Sequence, residues 1–158
     1  MKAAYFMKNG GPEVMQYGDV PDPIAGPGQL LVDVHAASVN GADWKVRAGS
    51  YAPITTFPYI PGRDFSGVVA ALGEGVKDSK VGDAVFGVCE VNQEAAYAEK
   101  IAINSAIVAK KLVGLSHVEC ASLAKRGQRS QRAQRGVNAL PYSHPTASAS
   151  ALANMPTL

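Results

Sequence analysis

The chain lacks any apolar run near the roughly 20 residues that a membrane-spanning helix requires, so a helical span is excluded at the outset. No secretory leader is legible. The apolar stretch from Ala3 to Met7 stops at Lys8, short of the roughly 7 to 15 residues that a leader's core needs, and a cytoplasmic address is expected. Cysteine is scarce: Cys89 and Cys120 are the only two, and their separation of 31 fits neither a disulfide framework nor a tetrahedral metal site. Reduced core thiols are the expectation. Acidic residues are missing from the C-terminal part altogether. Up to Ala124, ten Lys and Arg face all thirteen Asp and Glu, a net charge of −3; from Lys125 onward, five basic residues stand alone, a net +5. Ten of eleven aromatics and fourteen of sixteen glycines also precede Lys125, so the material for a core and for tight turns sits in the first piece. Residues 1–124 are therefore read as the folded unit, and 125–158 as a basic, low-complexity, irregular or disordered tail. At 158 residues, one modest core is the most the chain can build.

What the first piece does contain is short strands punctuated by Gly and Pro. Leu30, Val32, Val34 and Ala36 alternate with polar residues, the period of a strand with one wet face. Ala3 to Phe6, Gly67 to Leu72, Ala84 to Val88, Ala96 to Ile101 and Ile107 to Ala109 are further strand candidates, and spacing this dense argues a small barrel or sandwich. Two helices interrupt them. Asn40 suits the N-cap of a helix over Gly41 to Ala48, with Asp43 in the first turn and Gly49 as the left-handed stop. Ser116 and Glu119 form a capping-box pattern opening a second helix through Cys120 and Ala124.

Chemistry-bearing patterns are sparse. Gly73-Glu-Gly75-Val-Lys-Asp78 approaches a dinucleotide fingerprint, but it has Asp in the third glycine's place and no helical pattern after it; it reads as a hairpin turn. His35, His117 and His144 are too far apart in sequence to pre-arrange a zinc site, and no serine sits in a nucleophile elbow. One polar constellation remains: Asn40, Asp43, Trp44, Arg47 and Tyr51, followed by Gly62-Arg63-Asp64. It is read either as capping plus a solvated helix face or as a site, in which a tyrosine hydroxyl donates a proton and an amide orients a polar ligand.

The segment from Ala37 to Tyr51 closely resembles one carried by zinc-independent quinone oxidoreductases of the medium-chain dehydrogenase/reductase superfamily, in their N-terminal catalytic domain. Pro61-Gly-Arg-Asp-Phe-Ser-Gly-Val-Val69, Leu72-Gly-Glu-Gly-Val-Lys77 and Val81-Gly-Asp-Ala-Val-Phe-Gly87 extend the likeness in the same order, over about residues 1 to 124. The resemblance implies a GroES-like, partly open β-barrel, mainly β with short helices. Zinc-dependent relatives place a cysteine where this chain has Asn40 and Gly-His-Glu where it has Gly62-Arg63-Asp64; an amide is a poor zinc ligand and a permanent cation repels zinc, so no metal is expected. It further implies hydride transfer from NADPH to a quinone or α,β-unsaturated carbonyl, with Asn40 near the nicotinamide, Tyr51 near the substrate carbonyl, and Asp43 and Arg47 as additional cofactor-binding candidates. The family's Rossmann half and returning strands are not seen after Ala124, so this chain alone is expected to hold no dinucleotide tightly, to be inactive by itself, and to self-associate through an uncovered apolar face. Two other readings are a stand-alone GroES-like binding or scaffold module and nonspecific, salt-sensitive nucleic-acid contact by the tail; no specific nucleic-acid partner is expected.

Overall fold

The computed structural model describes residues 1–51, 53–90 and 93–124. The tail expected over 125–158, with His144, lies outside the described residues. Within them the chain forms seven strands: β1 (Lys2–Tyr5), β2 (Gln16–Asp19), β3 (Gln29–Ser38), β4 (Asp64–Leu72), β5 (Ala84–Val88), β6 (Lys100–Asn104) and β7 (Val108–Lys110). Helix α1 (Gly41–Arg47) bridges β3 and β4, and α2 covers 117–124. No described helix is long and apolar enough to cross a membrane.

β1 and β2 pair as an antiparallel ribbon, while the other five make an antiparallel sheet in the order β6-β3-β4-β5-β7. Its outer strands pair only inward, so among the described residues the sheets stay open instead of closing into a barrel. The alternation read in β3 sends Leu30 and Val32 into the core, where they meet Phe65 and Val69 of β4, Val85 of β5, and Ile101 and Ile103 of β6. β5 is buried on both faces: the next residue, Phe86, packs with Ala109, Cys120 and Ala124 beneath α2. Cys89 and Cys120 are both free and buried, as their spacing predicts.

Three strand expectations shift. β2 is absent from the sequence reading, since Gln16–Asp19 is almost wholly exposed and has no apolar face to reveal it. β4 begins at Asp64, not Gly67, because its first residues include buried polar ones: Ser66 donates to Val85 O at 2.9 Å. The segment read as Ala96 to Ile101 enters the sheet only at Lys100. Its earlier residues pair elsewhere, with Ala96 and Tyr97 donating to Gly62 and Pro61 carbonyls and Glu99 to Lys2. The glycine-rich stretch after β4 is a turn, as read: Gly75 adopts φ 81° and Gly28 N–H donates to Glu74 O.

Candidate functional site

The loop from β3 into α1 places Asn40 at the mouth of the site. Asn40 and Asp43 form the capping box, with the Asn40 backbone N–H donating to Asp43 Oδ2 at 2.7 Å. Sequence reasoning puts Asp43 in the first turn, where the helix dipole favours an anion. In the fold it is 7% exposed, and Tyr97, 54 positions further on, donates its hydroxyl to the same Oδ2 at 2.5 Å. Burial, then the hydrogen bond to Asp43, hold the Tyr97 phenol above the usual tyrosine range.

The Asn40 amide turns toward β4 and donates to Asp64 Oδ2 at 2.9 Å, an oxygen that also accepts from Ser38 Oγ at 3.0 Å. Asp64 is 4% exposed, so its carboxylate needs these donors. Asn40, Gly41, Ala42, Arg63, Asp64 and Val88 line a pocket of about 260 Å³. Arg63 reaches its wall with Nε and Nη2 donating to Cys89 O at 3.3 and 2.9 Å. Behind Arg63, Glu94 accepts a short hydrogen bond from Tyr59. Burial, then Glu94, raise the Tyr59 phenol, and burial, then the Glu94 charge, push the Cys89 thiol up to about 12.

Of the four residues to which the resemblance gives site roles, the structure brings Asn40 and Asp43 together and puts only Asn40 in the pocket wall, where Arg63 and Asp64 of the wider constellation join it. Arg47 lies at the opposite end of α1, donating from Nε to Gly10 O at 3.3 Å, where Asn9 also caps the Val46 and Arg47 carbonyls. Tyr51 follows the helix, half exposed and outside that wall. Sequence reasoning missed Tyr97, Tyr59 and Glu94, which carry no local motif and act through contacts far along the chain. It also separated two histidines that the fold joins: His35 and His117 have ring centroids 4.6 Å apart, and His117 Nδ1 lies 2.8 Å from Ser66 Oγ. Burial, His35 and Lys111 together lower the His117 imidazole.

The open, strand-rich lobe thus presents, among the described residues, a polar pocket at the head of the short helix between β3 and β4. The chain belongs to the alcohol dehydrogenase GroES-like domain family, whose model matches residues 26–133. It is 45% identical over 87 residues to the quinone oxidoreductase of Sus scrofa, covering 54% of this chain and 26% of that protein. The quinone oxidoreductase structure from Coxiella burnetii superposes with a TM-score of 0.72 at 34% identity, covering 86% of this chain and 44% of that one. The Escherichia coli quinone oxidoreductase complexed with NADPH gives 0.74 at 26% identity, covering 85% and 40%. The chain thus spans about a quarter of the curated relative's length and under half of the solved ones.

Proposed function

We propose that this chain is the catalytic-domain portion of an NADPH-dependent, zinc-independent oxidoreductase that reduces quinones or α,β-unsaturated carbonyls. The observation that carries the reading is the pocket wall itself: an amide (Asn40) and a guanidinium (Arg63) flank a carboxylate (Asp64) whose Oδ2 is already committed to two donors. That donor set is poor for a dication and well suited to a neutral polar ligand. Similarity to quinone oxidoreductases, one solved with NADPH, supports the substrate and cofactor classes.

The wall fits one end of the cofactor. Asn40 has a second amide N–H beyond the one given to Asp64, suited to the carboxamide of a nicotinamide. Asp43 and Arg47 contribute by fixing the two ends of α1, through the Asn40 N–H and the Gly10 carbonyl. When bound, NADPH supplies a hydride. A quinone that gains a hydride carries negative charge on oxygen until a proton joins it, and the chain's task is to hold that oxygen and deliver the proton; Tyr51 is the assigned donor. The described residues include no glycine-rich turn feeding a helix that could cradle a pyrophosphate, so the 158-residue chain alone is expected to turn over little.

The purified chain, mixed with NADPH and a small para-quinone, is expected to leave the nicotinamide absorbance nearly unchanged, whereas fusion to the nucleotide-binding domain of a related quinone oxidoreductase restores oxidation that Tyr51→Phe lowers. Robust turnover by the chain alone would refute the need for a second lobe, and a fusion that binds NADPH yet never reduces quinone would refute the activity.

A further inference from the structure

The pocket wall holds a cation, Arg63, that has no part in the hydride and proton transfers proposed above. We propose that Arg63 receives the substrate's oxygen as it gains negative charge, and that Glu94 is the positioning residue that holds the guanidinium and damps its charge. This rests on the reading of the pocket as the site of reduction.

The backbone at Arg63 is fixed. Gly62 has φ +96°, and a Cβ there would lie 2.4 Å from the Tyr97 ring. From that fixed point the guanidinium is held by one edge only, Nε and Nη2 donating to the Cys89 carbonyl. A guanidinium carries five N–H donors, so the Nη1 pair and one on Nη2 have no protein partner among the described residues. Arg63 keeps 21% of its side chain exposed while lining the pocket beside the Asn40 amide. Two donor-bearing residues from separate segments, one charged, therefore line a single recess.

Glu94 stands beside that same edge of Arg63. Its side chain is 2% exposed; Oε2 accepts from Tyr59, while Oε1 is buried with no hydrogen-bond partner and lies 3.9 Å from Arg63 Nε. A buried carboxylate oxygen without a donor needs the nearby cation, which ties Arg63 in place. The same pairing weakens what Arg63 offers to a ligand. With Asp64 in the wall as well, one cation faces two carboxylates, so selectivity for an oxyanion comes from directed N–H donors and not from net charge. Removing the Glu94 charge should then strengthen anion binding, the reverse of what loss of a merely structural ion pair would do.

The test uses 4-nitrophenol, a redox-inert phenol whose ionised form is coloured, with the complete 158-residue chain. The wild type is expected to bind the phenolate roughly tenfold more tightly than the phenol, so that the bound ligand ionises about one pH unit below the free one. Arg63→Gln should abolish the preference, Arg63→Lys should keep part of it, and Glu94→Gln should widen it. A measurement without variants guards against misfolding: nitrophenolate should shift the Arg63 side-chain N–H resonances of the wild type. Equal affinity for the two forms, no binding, no Arg63 shift, or a preference that survives Arg63→Gln overturns the proposal. Phenolate preference without quinone reduction by the fused enzyme would sink the redox reading and leave the oxyanion site standing; reduction without the preference would sink this assignment alone.

Discussion

Asp43 answers to two partners at once, the Asn40 N–H within the cap and the Tyr97 hydroxyl from across the fold. Deleting that hydroxyl with Tyr97→Phe should cost about 1 kcal/mol near neutral pH, measured by urea unfolding. The same contact sets an alkaline limit. Burial and Asp43 raise the folded-state phenol above the ordinary tyrosine value of 10.0, so above about pH 10 the unfolded chain releases a proton that the folded chain keeps, and stability falls as pH rises. Tyr97→Phe should flatten that decline, and a decline of unchanged slope would show that Tyr97 does not carry it. Asn40 and the capping partner Asp43 were legible in sequence because a cap is a local pattern. Tyr97 was not, since its contact with Asp43 spans 54 positions and no spacing rule reaches that far.

Elements built on alternation were the readable ones: β3 declares itself through Leu30 and Val32, and α1 through its cap and the Gly49 stop at φ 79°. Main-chain fit was legible only in part: Gly67 to Leu72 reads as a strand, but its start at Asp64 does not. β4 runs through Gly67 because β3 passes so close that a Cβ there would sit 2.0 Å from Asp33 O, next to the irregular register between Val34 and Ala36. A glycine inside a strand usually marks such an approach. Gly67→Ala should therefore separate the two central strands and cost roughly 3 kcal/mol in urea unfolding, far more than an alanine at an open site. A loss under 1 kcal/mol would mean that the strands yield easily. β2 stayed illegible for the opposite reason: it buries little, so no hydrophobic pattern records it.

At the scale of the molecule, a lobe that spans under half of its solved relatives exposes apolar side chains around the site: Val39 at 85%, Trp44 at 53% and Tyr51 at 48%. Large exposed apolar groups near one another favour association. Sedimentation equilibrium of the chain should show a weight-average mass that rises with concentration and falls back in Trp44→Ser; a constant monomer mass would refute this. The resemblance carried by residues 37–51 and 61–69 disclosed the family, while the arrangement of Arg63, Glu94 and Tyr59 at the candidate pocket needed coordinates. A seven-residue helix in isolation does not persist in water, yet α1 is riveted by Asp43 to Tyr97, in the segment that leads into β6, and its cap Asn40 is tied to Asp64 of β4. The recess at its head thus borrows the stiffness of the strands. An incoming molecule meets a surface already set, and little of its affinity is diverted to ordering the host.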